Sequence, residues 1–127
     1  MKKLLYVLVA VMSIGLLATS CKKDKEATPV TPKTEKDTLT VTIKNTGNYA
    51  LDLGGLGTED GATISKATTN AASSTIERSP AGHAIYQYAP KTDFVGTDEV
   101  ELKITRSAGG ATPYLTTFTT IKFTITN

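Results

Sequence analysis

The sequence predicts an all-β fold, a single seven-stranded antiparallel sandwich built from residues 38–127. Three apolar–polar alternations carry that prediction. Leu39, Val41 and Ile43 alternate with threonines, Val100, Leu102 and Ile104 with Glu101 and Lys103, and Ile121, Phe123 and Ile125 with Lys122 and Thr124. A period of two puts every apolar side chain of such a run on one face, which marks a half-buried strand. Turn-forming clusters recur between these runs, and no stretch repeats its apolar residues at helical spacing.

The chain opens differently. Residues 1–20 have a basic start (Lys2, Lys3), an apolar run from Leu4 to Ala18, and a small-residue end, Ala18-Thr19-Ser20. The run holds about fifteen residues, short of the roughly 20 that a membrane-spanning helix needs. Basic, apolar and small-residue regions in that order are expected of a cleaved secretory signal. Cys21, the only cysteine, follows directly and excludes a disulfide within the chain. The segment Leu17-Ala18-Thr19-Ser20-Cys21 resembles a bacterial lipoprotein signal, with leucine one place upstream of its commonest position. That resemblance implies acylation of Cys21. Each buried methylene contributes about 0.8 kcal/mol, and stable anchoring takes two chains or signals, so a diacylated cysteine suffices.

The run Lys22-Lys23-Asp24-Lys25-Glu26 resembles the charged export signal of lipoproteins of Bacteroidota, a lysine followed by acidic residues behind the lipidated cysteine. Lys23, Asp24 and Glu26 carry the likeness and Lys25 interrupts it. The resemblance implies an outer-membrane protein, lipid-anchored and facing the cell surface. Residues 21–37 read as the lipidated cysteine and a flexible linker rich in charge, threonine and proline.

Within residues 38–127, weaker strands are predicted at 48–53, 62–67, 74–78 and 84–89. They are separated by Asn45-Thr46-Gly47-Asn48, Gly54-Gly55-Leu56-Gly57, Glu59-Asp60-Gly61 and Ser79-Pro80-Ala81-Gly82, with Ala108-Gly109-Gly110 before the last strand. Phe118 is out of phase with Ile121, Phe123 and Ile125, which predicts a bulge near Thr119 or Thr120.

One motif is specific. In the stretch 86–100, Tyr88, Pro90, Phe94, Gly96 and Asp98 resemble the Tyr-x-Pro…Phe-x-Gly-x-Asp segment of bacterial cadherin-like and immunoglobulin-like surface domains, with Val100 where an aromatic is usual. The resemblance implies a Greek-key sandwich and a part in adhesion. Physically, Pro90 ends a strand, Phe94 plugs the core, Gly96 permits a tight turn, and Asp98 bonds backbone amides to hold that turn. These roles build a domain and perform no reaction.

Composition narrows the function. The precursor has a formal net charge of +2, and loss of Lys2 and Lys3 leaves the mature chain balanced. No basic cluster suggests a nucleic-acid partner. His83, the only histidine, lies in a loop without a nucleophile-elbow sequence, so no catalytic residues and no zinc site are expected. No cofactor is expected either. Calcium would need converging carboxylates; Asp93, Asp98, Glu99 and Glu59-Asp60 are available, but cadherin-type acidic linkers are absent.

The expectation is therefore a non-enzymatic surface lipoprotein with an adhesion, interaction or envelope-structural role. Its partners would be the membrane, through the lipid on Cys21, and an extracellular protein or glycan. The rival reading is a glycan-binding accessory lipoprotein of a polysaccharide uptake system. In that reading Tyr114, which follows Pro113 in a loop, is the ligand-contact candidate, whereas Tyr86 and Tyr88 are expected in the core.

Overall fold

A computed structural model of the chain describes residues 32–107 and 114–127. The seven strands are β1 (Thr34–Lys44), β2 (Tyr49–Gly55), β3 (Gly61–Lys66), β4 (Ala71–Arg78), β5 (His83–Pro90), β6 (Gly96–Arg106) and β7 (Leu115–Thr126). They form a four-stranded sheet, β1-β7-β6-β3, and a three-stranded sheet, β2-β5-β4, in a sandwich-like arrangement. The alternation expected in β1, β6 and β7 is realised. Val100, Leu102, Ile104, Ile121, Phe123 and Ile125 are buried, and they meet Ala84, Tyr86 and Tyr88 of β5 from the facing sheet. Leu39, Val41 and Ile43 lie on the same inner side but are only partly buried, because β1 stands at the sheet edge.

Three expectations are corrected. The sandwich is not purely antiparallel, because β1 runs parallel to β7 over its whole length, from Thr34 opposite Thr116 to Lys44 opposite Thr126. Each connection reverses the chain, so the first and last of seven strands run the same way, and β1 joins β7 instead of its sequence neighbour. The linker also ends sooner than expected. Thr34 to Asp37 are already strand, with the Thr116 amide donating to the Lys33 carbonyl. Local charge predicted a solvated tether there, but the open edge of β7 supplies backbone partners that local sequence does not reveal. Finally, β7 has no bulge, since its pairing with both neighbours is unbroken. Phe118 instead sits half-buried on the outer face, opposite Lys36 of β1 and Lys103 of β6.

The register breaks occur elsewhere: at Asp52/Gly55 in β2, Ile64/Lys66 in β3 and Ala71/Ser73 in β4. All three of these are edge strands.

Candidate functional site

The five motif residues converge at one end of the sandwich. Pro90 closes β5 and is buried opposite Ala71. The chain then turns, with the Phe94 amide donating to the Lys91 carbonyl at 3.1 Å and Asp93 at a φ of 61°. Gly96 reopens the strand at a φ of 146°, a conformation closed to most side chains, with the Phe94 ring against it. Phe94 packs against the core edge, as expected of a plug.

Asp98 is only 7% exposed and acts as a hub. Its Oδ1 accepts from the amides of Thr69 at 2.9 Å and Glu99 at 3.0 Å. Its Oδ2 accepts from the Asn70 amide at 2.9 Å and the Tyr88 hydroxyl at 3.0 Å. This corrects the expected role. Asp98 holds the β3–β4 loop across the sandwich rather than the turn that precedes it, because its side chain points inward to where that loop closes the core. Lys91 completes the clamp, its amide donating to the Asn70 carbonyl at 2.9 Å and its Nζ to the Thr69 carbonyl at 3.0 Å.

Tyr88 and Tyr86 are both buried, as expected. Tyr88 stacks on Phe123 with ring centroids 4.0 Å apart and planes 8° from parallel, while Tyr49 meets the Phe123 edge at 5.5 Å. Burial first, and then the bond to Asp98, pushes the Tyr88 hydroxyl far above its ordinary ionisation range. Tyr86 reaches Ser74 at 2.9 Å. No buried side-chain polar atom among the described residues lacks a partner.

Over this end, on the outer face, lies an open depression of about 580 Å³, lined among others by Thr40, Lys66, Asn70, Thr97, Glu99 and Lys122. Its walls are β-sheet on one side and the clamped loop on the other. Lys66 Nζ bonds Glu99 Oε1 at 2.7 Å, and that contact holds the Glu99 carboxyl below its usual range. The depression offers hydroxyl, amide, carboxylate and ammonium groups suited to polar contact.

The opposite end carries a second network that the sequence did not signal. Arg106 donates to the carbonyls of Leu53 at 2.8 Å and Gly55 at 3.0 Å, and Arg78 donates to that of Leu56 at 3.3 Å. Asp60 accepts from the amides of Ser107 at 2.7 Å and Gly57 at 2.8 Å, which lowers its pKa, with the Ser107 bond the larger cause. His83 Nδ1 pairs with Asp52 Oδ2 at 2.8 Å. That bond, and then one from the Gly54 amide, lowers the Asp52 pKa. The nearby Ser79 Oγ accepts the His83 backbone amide at 3.1 Å. The only hint in sequence was a cluster of glycines and charges around turns, whose pairing spans separations such as 53 residues for Arg106 and Leu53.

Glu59 and Asp60 therefore stand at the end opposite Asp98, and the carboxylates weighed for calcium do not converge. No group of three potential metal ligands occurs among the described residues. Tyr114 is 53% exposed beside the start of β7. Cys21, Lys23, Asp24 and Glu26 lie outside the described residues. No helix among the described residues is long and apolar enough to cross a membrane.

No family model matches the chain, and no curated protein matches it in sequence. Among solved structures, it is similar to the cysteine protease inhibitor EhICP2 from Entamoeba histolytica, at 17% identity and a TM-score of 0.44, over 76% of this chain and all of that one. It is also similar to amebosin, at 18% identity and a TM-score of 0.49, again over 76% of this chain and all of that one. A third is an endo-fucoidan hydrolase of glycoside hydrolase family 107, at 22% identity and a TM-score of 0.39, over 71% of this chain but only 13% of the hydrolase.

Proposed function

We propose that the chain is an outer-membrane lipoprotein, anchored through Cys21 and displayed at the cell surface. Its one immunoglobulin-like Greek-key domain has a non-enzymatic adhesion, interaction or envelope-structural role. The observation that carries this reading is the N-terminal sequence, a short apolar run closed by Ala18-Thr19-Ser20-Cys21 and followed by Lys23, Asp24 and Glu26. The strand order supports the immunoglobulin-like part. In such sandwiches the second, fifth and fourth strands share one sheet and the third, sixth and seventh the other, as they do here, with β1 added beside β7. The hydrogen bonding supports a structural role, since the buried polar groups at both ends are occupied in fixing loops.

At about 3.3 Å per residue, the stretch between Cys21 and Thr34 reaches about 43 Å at most. Thr34 lies at the same end as the β2–β3 and β4–β5 loops, so the tether leaves the domain from the end opposite Asp98. Surface labelling of intact cells expressing the native chain and a Cys21→Ala variant tests the reading. The native protein should be labelled and membrane-bound, and the variant should leave the membrane fraction. Membrane-bound but unlabelled native protein would place the domain in the periplasm and leave only the envelope-structural role.

The second reading, glycan binding, draws support from the exposure of Tyr114. Retention of the chain on a polysaccharide panel, lost in Tyr114→Ala, would favour it. Indifference to every polysaccharide would remove it.

A further inference from the structure

Of the four edge strands among the described residues, three interrupt their own pairing and one does not. β2, β3 and β4 each carry a register shift, a common device that keeps an edge from recruiting another strand. β1 is eleven residues long and unbroken, and no described strand lies on its far side. The direction of its free groups follows from its bonds to β7. The Lys33 carbonyl accepts from Thr116, and the Asn45 amide donates to Thr126. In a parallel ladder a residue's amide and carbonyl point to the same side, alternating along the strand. Odd-numbered residues of β1 therefore face β7, and Thr38, Thr40 and Thr42 turn their amides and carbonyls outward. Between the charged residues Glu35-Lys36-Asp37 and Lys44, the stretch 38–43 contains no charge, proline or glycine. Leu39, Val41 and Ile43 remain only partly buried beneath it.

We propose that this edge is an interface for a second copy of the chain, paired antiparallel about a two-fold axis at Val41. The strand is self-complementary in that register: Thr40 stands opposite the partner's Thr42, and Leu39 opposite the partner's Ile43. The alternation forbids registers that would mix the two faces. Charge and apolar matching select among those that remain, since an axis at Thr42 would set Leu39 against the partner's Asn45. Moving the axis to Thr40 sets Lys36 against the partner's Lys44, and moving it to Leu39 sets Asp37 against the partner's Val41. Pairing at Val41 joins two four-stranded sheets into one continuous sheet, covers the half-exposed aliphatic row, and satisfies the outward amides. This interface is independent of the anchor, so its failure would leave the lipoprotein reading standing.

The test uses the full chain carrying Cys21→Ala, which removes the only native thiol. That chain should sediment as a dimer over a concentration series. Thr40→Pro should make it monomeric while preserving its far-ultraviolet circular dichroism, because residue 40 points its amide away from β7. A cysteine at the axis belongs to a non-hydrogen-bonded pair with Cα atoms about 4.5 Å apart, within disulfide range. Val41→Cys should therefore give a disulfide-linked dimer on a non-reducing gel, and Leu39→Cys should not. A chain that stays monomeric throughout, a dimer that survives Thr40→Pro, or equal cross-linking at both positions would overturn the proposal.

Discussion

Replacing Asp98 with alanine removes an acceptor on which four donors converge, and the cost can be worked donor by donor. The Tyr88 hydroxyl is buried beneath the stacked Tyr88–Phe123 pair. Removing Asp98 deprives it of the acceptor it bonds in the core, a loss of about 1–3 kcal/mol. The amides of Thr69, Asn70 and Glu99 lie at the part-buried end of the domain, where water can replace the carboxylate, so each costs nearer 0.5–1 kcal/mol. Relief from burying a carboxylate returns part of this. The net loss should be about 3 kcal/mol, or roughly 12–24 °C in the unfolding midpoint of a domain this size. The assay is thermal and urea unfolding of the Cys21→Ala chain, in a double-mutant cycle with Tyr88→Phe. Alone, Tyr88→Phe should cost about 1 kcal/mol; in the Asp98→Ala background it should cost nothing or stabilise, because the orphaned hydroxyl is removed. Loss of less than 0.5 kcal/mol in Asp98→Ala, or strict additivity of the two changes, would refute the hub.

Gly96→Ala should destabilise by about 1–3 kcal/mol in urea unfolding, since a Cβ there meets the Phe94 ring at 3.2 Å in a backbone conformation costly for alanine. Gly61→Ala, with nothing within 4 Å, should be nearly neutral in the same assay. Arg106→Ala frees the carbonyls of Leu53 and Gly55. It should cost about 1 kcal/mol and speed amide exchange across 54–57 while leaving the Asp98 end protected. In acid, Asp52, Asp60 and Glu99 have lowered pKa values, so their stabilisation is present above their ordinary values of 3.8, 3.8 and 4.5. It should disappear as pH falls through the folded-state values, seen as a falling urea midpoint. In alkali the sign reverses. Tyr49, Tyr86 and Tyr88 are raised by burial, so their contribution is complete below their ordinary value of 10.0 and is lost as pH climbs above it.

The alternations of β1, β6 and β7 were legible because a period of two depends only on neighbours in the chain. The strand end at Pro90 and the turn at Gly96 were legible from the residue types themselves, and the burial of Tyr86 and Tyr88 from the motif that contains them. What the sequence by itself determined was thus a set of strands, their inward faces and the turns between them. Pairing depends on which segments meet in space, and that only the tertiary structure decided. The parallel β1–β7 ladder joins the two ends of the domain, and it drew Thr34 to Asp37 out of what local charge predicted as linker. Two of the four donors to Asp98 come from a loop 28 and 29 residues away. The His83–Asp52 pair spans 31 residues, and the Arg106 contacts span 51 and 53. An amide or carboxylate carries no mark of its eventual partner, whereas an apolar side chain marks its own face. Composition and alternation can therefore reveal a core, while hydrogen-bonded clamps and a free sheet edge appear only once the chain has folded.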